Sequence, residues 1–230
     1  ANMLAAAAKE LGKHPKVGLR VNPDINIDTH PYIATGMQEH KFGVPVKEAE
    51  KIYSKLANNN HLTLVGISCH IGSQIFENNP FLKALEEITL LAKKLQKKGI
   101  EISHLDLGGG LAVAYRSEET QPLIKQYIKR LANQLYDTGL HLVLEPGRSI
   151  VGPAGVLLTR VLYRKRNGEK EFVVVDAAMN DLIRPSLYNA HHEIIPLTRT
   201  ERPKIVAEIV GPICETGDFL ARGREVADIK

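Results

Sequence analysis

The chain has 230 residues and a net charge of +4, too small and too evenly spread to argue for a nucleic-acid partner. Its 43% apolar and 24% charged residues are ordinary for a globular protein with room for one large domain or one and a fraction, and no apolar run reaches the roughly 18 residues that would call for a membrane. Two cysteines, Cys69 and Cys214, are too few for a disulfide framework and point to a reducing, cytoplasmic setting.

From residue 1 the chain reads as a helix already under way, with Met3 to Glu10 lacking the basic-then-apolar order of a signal peptide. Val17 to Val21 is a short apolar run closed by the turn residues Asn22-Pro23-Asp24. Lys47 to Leu56 has helical spacing, and Leu64 to Cys69 reads as a strand. Asn79-Pro80 then offers a cap and a first-turn proline for a helix that places Phe81, Leu85, Ile88, Leu91 and Leu95 on one face and stops at Gly99. Ile102 to Leu107 is the next strand, Pro122 opens a helix ending at Gly139, and His141 to Leu144 is a fourth strand. Strand-helix units repeating every ~40 residues predict an α/β fold with a parallel sheet. Four strands cannot close a barrel, but they fit the C-terminal part of a (β/α)8 TIM-like barrel.

The pattern changes after Gly152-Pro153. Val156 to Tyr163, Glu171 to Val175 and Lys204 to Val210 are β-rich, with no helix of comparable length between them. The expected division is therefore a barrel portion over 1–152 and an incomplete β-rich domain over 153–230. Ala227 to Lys230 again reads as strand without a closing turn, so both termini are expected to be cuts through a larger protein.

Short words sit where the apolar runs end: His70-Ile71-Gly72-Ser73, Gly108-Gly109-Gly110, Glu145-Pro146-Gly147-Arg148 and Cys214-Glu215. Ends of successive parallel strands converge on one rim, so the first three words are expected to meet there. A glycine triplet can turn sharply and aim N–H groups at an anion, with the Ser73 hydroxyl beside it. A carboxylate on a rigid turn can hold a proton on a pyridine nitrogen. Cys214 can deliver a proton and Glu215 can bind an ammonium group; Arg184 and Tyr188, four apart, suggest a clamp for a carboxylate. Taken singly, each word has a plainer reading: a tight turn, a core histidine, a Glu–Arg salt bridge around a turn, a buried inert thiol. A metal is not expected, because no second ligand lies at a fitting distance from His70, and the neighbours His191 and His192 should point apart on a strand.

In combination the words resemble the diaminopimelate decarboxylase family, pyridoxal-phosphate enzymes of the alanine-racemase-like barrel class. The resemblance rests on Leu19-Arg20-Val21-Asn22-Pro23, Lys41-Phe42-Gly43-Val44, Cys69 to Gln74, Leu105 to Leu111, Glu145 to Arg148, Asp181 to Pro185 and Gly211 to Glu215, seven words in family order. It implies a pyridoxal 5'-phosphate cofactor with His70 against its ring and Ser73, Gly108, Gly109 and Gly110 at its phosphate. Glu145 would pair with the ring nitrogen, with Gly147 in the same turn and Arg148 lying between phosphate and substrate. Arg184 and Tyr188 would bind a carboxylate of a small amino-acid substrate, Glu215 its distal amino end, and Cys214 would donate the proton. In this family the site is shared across a head-to-tail homodimer. The implied reaction is decarboxylation of meso-2,6-diaminopimelate to L-lysine, the last step of lysine biosynthesis. The family's Schiff-base lysine and a C-terminal tyrosine have no counterpart in these residues, so this piece is expected to be inactive alone. Ornithine, arginine and carboxynorspermidine decarboxylases share the glycine triplet and the Glu-Pro-Gly-Arg turn, and a non-catalytic relative acting by dimerisation is the reading from another class.

Overall fold

The computed structural model describes residues 1–25, 41–198 and 201–228, so the last two residues of the strand-like ending, Ile229 and Lys230, lie outside the described residues. Two compact units emerge, one formed by 1–113 and 120–154, the other by 114–119 and 155–230.

The first unit holds five parallel strands: β1 (Lys16–Asn22), β2 (Val44–Pro45), β3 (Thr63–Ser68), β4 (His104–Asp106) and β5 (His141–Val143), in the order β2-β1-β3-β4-β5. The helices are α1 (Asn2–Glu10), α2 (Val46–Leu56), α3 (Asn79–Lys97), α4 (Ile124–Leu135) and the single turn α5 (Arg148–Val151). In α3, Pro80 occupies the first turn, where its missing N–H costs nothing, and Phe81, Ala84, Leu85, Ile88, Leu91, Ala92 and Leu95 form its buried stripe. These residues pack with Ile67, Ile71, Leu105 and Leu107 of the sheet and with Tyr127, Leu131 and Leu135 of α4 in one core. The helix expected from Pro122 begins at Ile124, and Leu123 and Ile128 are exposed.

The Tyr53 hydroxyl brings polar contacts into this core. β1 and β3 slip register between Val17 and Gly18, which leaves backbone groups to be satisfied from elsewhere. The Tyr53 hydroxyl from α2 does so: it accepts the Leu19 N–H at 2.9 Å and donates to the Gly66 carbonyl at 2.6 Å. Burial pushes this phenol up from 10 to about 12, against a smaller opposing pull from the Leu19 N–H. Because the folded value is the raised one, this contribution is whole below pH 10 and is lost as pH climbs towards 12. Tyr53→Phe is expected to lower stability at neutral pH by about 1–3 kcal/mol, since a buried amide and carbonyl lose their partner. It should also remove a slope of up to about 1.4 kcal/mol per pH unit above pH 10. Urea midpoints at pH 7 and 11 measure both; an unchanged midpoint at pH 7 would contradict the role.

The second unit is a mixed four-stranded sheet, β6 (Val161–Asn167), β7 (Lys170–Val175), β8 (Lys204–Val210) and β9 (Phe219–Ala227), in sequence order, with a short helix α6 (Arg184–Tyr188). β6 and β7 pair antiparallel, β7 and β8 parallel, β8 and β9 antiparallel. The strand expected over Val156–Tyr163 starts at Val161 instead. Its partner β7 has six residues, and the ladder from Asn167↔Lys170 ends at Val161↔Val175, leaving Val156 and Leu158 exposed. Val173, Val175, Ala207, Ile209, Leu220, Ala221 and Val226 make the core of this unit. Among the described residues no helix is long and apolar enough to cross a membrane.

Candidate active site

In the first unit the three strand-end words converge as their positions predict. Cys69 and Ile71 are buried and flank His70, which is half-buried just past β3. The Gly109 N–H donates to His70 Nδ1 at 3.2 Å, and a ring nitrogen that accepts here carries its proton on Nε2 when neutral. Burial lowers the His70 pKa, the Arg20 guanidinium adds to this, and the Asp106 carboxylate opposes it. His70 is thus held as a neutral ring with a fixed tautomer at neutral pH.

The glycine triplet lies between the other two words. The Gly108 N–H donates to Asp106 Oδ1 at 2.8 Å, the Gly108 carbonyl accepts the Glu145 N–H at 2.9 Å, and the Gly110 carbonyl accepts the Ile75 N–H at 3.0 Å. A Cβ on Gly109 would collide with the Glu145 carbonyl oxygen, and one on Gly110 with the Gly72 carbonyl oxygen. Gly110 also has φ +108°, a backbone that side chains avoid. Gly147 differs: its φ is −96° and a Cβ would meet nothing within 4 Å, so packing within this chain does not require glycine there. Glu145 is exposed at the end of β5, and its carboxylate makes no ion pair among the described residues, so the plainer reading of a Glu–Arg bridge around the turn is not what the chain adopts. Arg148 follows at the start of α5.

These residues fit pyridoxal phosphate on three counts. The triplet is a turn too close to neighbouring backbone for any Cβ, the His70 ring is neutral, and the Glu145 carboxylate makes no ion pair among the described residues. Among the described residues no cluster of three or more His, Cys, Asp and Glu side chains could hold a metal ion.

In the second unit, Arg184 opens α6 and Tyr188 closes it, with Asn189 turning the chain at φ +51°. The Arg184 guanidinium bonds His192 Nε2 at 2.9 Å and lies 5.0 Å over the Tyr115 ring. Cys214 and Glu215 are exposed on the loop between β8 and β9, and Cys214 is a free thiol. The Glu215 carboxylate accepts the Gly217 N–H at 3.1 Å. This loop is held by Asp218, which is 2% exposed; its carboxylate accepts N–H groups from Met179 at 2.7 Å and Ile213 at 2.9 Å. A single buried carboxylate thus braces both the Cys214-Glu215 loop and the turn that leads to Arg184.

Sequence reasoning did not single out Asp218, Tyr115 or His192 for the site. The strand expected at His191 and His192 does not form: both lie in irregular backbone, each facing a different arginine. Asp218, three residues past Glu215, carried a signal that was legible: an acid beside Gly217 that can cap its own loop.

The model of the pyridoxal-dependent decarboxylase pyridoxal-binding domain matches residues 1–152, and that of the pyridoxal-dependent decarboxylase C-terminal sheet domain matches residues 106–230. The chain is 49% identical over 229 residues to diaminopimelate decarboxylase of Aquifex aeolicus, covering 100% of this chain and 54% of that protein. It is 52% identical over 228 residues to the Pseudomonas aeruginosa enzyme of that name, covering 97% of this chain and 54% of that protein. The chain therefore spans about half the length of these curated relatives. Among solved structures, diaminopimelate decarboxylase from Helicobacter pylori complexed with L-lysine superimposes with a TM-score of 0.91 at 39% identity, over 98% of this chain and 56% of that one. With both family models matched, and the glycine cradle and neutral histidine in place at the strand ends, the chain belongs to the pyridoxal-dependent decarboxylases.

Proposed function

We propose that this chain is part of a diaminopimelate decarboxylase, a pyridoxal-phosphate carboxy-lyase that converts meso-2,6-diaminopimelate to L-lysine. The observation that carries the reading is the glycine triplet wedged between the His70 and Glu145 turns, which brings a ring face, the Gly110 N–H and a carboxylate to one strand-end rim. The near-50% identity to enzymes of that name across the whole chain supports the substrate. Residues 1–152 are read as the C-terminal portion of a barrel and 153–230 as part of the β-rich domain, in a cytoplasmic homodimer.

Bound pyridoxal phosphate supplies an electron-poor ring that accepts the electron pair left by a departing carboxylate. The chain's own residues then have separate tasks. The Ser73 hydroxyl and the Gly110 N–H hold the phosphate, the Gly108 and Gly109 N–H groups being committed to Asp106 and His70, and His70 presents its neutral ring face to the cofactor. Glu145, as carboxylate, keeps a proton on the ring nitrogen. Arg148 lies between phosphate and substrate, while Arg184 and Tyr188 take the carboxylate that is not lost. Glu215 reads the distal ammonium, and Cys214, reaching in from the partner subunit, gives a proton to the carbon that has lost carbon dioxide.

The test is carbon dioxide release by the complete enzyme from meso-diaminopimelate, ornithine, arginine and carboxynorspermidine. A kcat/KM for diaminopimelate at least about 100-fold above the others is expected, because a site built for a second charged group rejects substrates that lack it. Preference for a substrate with no distal carboxylate would sink the assignment.

A further inference from the structure

Arg184 is not a lone side chain at the start of a five-residue helix; two separate segments of the second unit hold it, and a third braces one of them. Its Nη1 is 2.9 Å from His192 Nε2, its guanidinium carbon stands 5.0 Å from the Tyr115 ring centre, and Tyr115 packs edge-on against the His192 ring at 5.0 Å. The segment bearing His192 is fixed in turn by Arg224 of β9. Arg224 donates to the His192 carbonyl at 2.7 Å and to His191 Nδ1 at 2.9 Å. The Nε of Arg184 is buried, and among the described residues it meets no acceptor. One corner of the fork is therefore tied, one face is covered, and the Nε donor has no acceptor among the described residues.

The chemistry fixes the protonation of the histidine. A guanidinium can only donate, so His192 Nε2 must accept, and the neutral ring carries its proton on Nδ1. We infer that His192 is a positioning residue for the substrate carboxylate: as a neutral ring it aims the Arg184 fork, with Tyr115 setting the plane of that fork. This rests on the reading of Arg184 as the carboxylate clamp. Protonated His192 would set a donor against a donor and release the fork. The charged and titratable groups around it are Arg184 from α6, Arg224 from β9, Tyr115 from residues 114–119, and His191 and Glu193 on its own segment. Arg116 and Glu118 act one step away, through Arg224 and His191 respectively.

The test uses the complete enzyme loaded with pyridoxal phosphate and four readouts. His192→Ala should raise KM for meso-diaminopimelate about 10- to 100-fold, the worth of a hydrogen bond to a charged group, with a smaller change in kcat. His192→Gln, whose amide oxygen can accept but cannot titrate, should bring KM back to within about threefold of wild type. As pH falls and His192 takes up a proton, KM should rise for the wild type and stay level for His192→Gln. Nitrogen-15 NMR of the histidine rings, independent of turnover, should show His192 as the Nδ1-protonated tautomer at neutral pH. Arg184→Ala separates the two claims. If it raises KM while His192→Ala does not, the positioning role is overturned and the clamp stands. If Arg184→Ala itself leaves KM unchanged, the clamp reading has failed. A His192→Gln variant as impaired as His192→Ala, or an Nε2-protonated ring, would also overturn the inference.

Discussion

Under the proposed function, Glu145→Gln in the complete enzyme is expected to lower kcat on diaminopimelate by about 10²–10⁴, the range that a positioned acid or base contributes. The amide keeps the shape of the side chain and cannot hold a proton on the ring nitrogen opposite. The backbone should not change, because the Glu145 N–H donates to the Gly108 carbonyl whatever the side chain is. Affinity for pyridoxal phosphate should accordingly fall by less than about tenfold, since the residues proposed to hold the phosphate, Ser73 and Gly110, are separate from residue 145's side chain. Cofactor titration by fluorescence and steady-state kinetics separate the two effects. A variant that loses cofactor and turnover equally would recast Glu145 as a structural residue, and one with unchanged kcat would remove it from the chemistry.

Gly110→Ala is the second large effect, and it bears on folding before catalysis. The new methyl would drive into the Gly72 carbonyl oxygen, a backbone atom with no freedom to swing aside, and φ +108° adds strain for any side chain. Overpacking and backbone strain each cost about 1–3 kcal/mol, so a loss of about 2–5 kcal/mol is expected. Gly147→Ala is the internal contrast. With open space around that Cβ and φ −96°, its stability should stay within about 1 kcal/mol of the parent. Urea midpoints for the two variants measure the difference. Equal midpoints would mean that the turn between Gly72 and Gly110 relaxes freely, and that the triplet is not a rigid cradle.

Much of the first unit was legible because its signals are local and repeated. The α3 stripe from Phe81 to Leu95 recurs at helical spacing, starts at a proline and ends at Gly99, and each of those features has its own physical cause. The strand ends were readable for the same reason, since apolar runs in a parallel sheet are short and bounded. What stayed hidden depended on partners far along the chain. The start of β6 is set by the length of β7, and nothing in Val156-Leu157-Leu158 announces that pairing stops at Val161. β9 was missed because Gly223 and two arginines interrupt its apolar pattern, and it exists through pairing with β8. The same holds in the site. His70 and the glycine triplet stand in recognisable words, whereas Tyr115 and His192 are 77 residues apart in the sequence and become one feature only when folded.

The placement of residues 114–119 in the second unit, with first-unit chain on both sides of them, makes that unit discontinuous in sequence. A cut near residue 153 yields two continuous pieces, and the C-terminal one lacks residues 114–119 of the second unit. The C-terminal piece would keep Arg184 and His192 and lose Tyr115, the ring beneath the fork. Recombination between relatives at that boundary would therefore exchange the sheet while importing the tyrosine from the other parent. The second unit is inherited as two separated stretches that must be matched to one another.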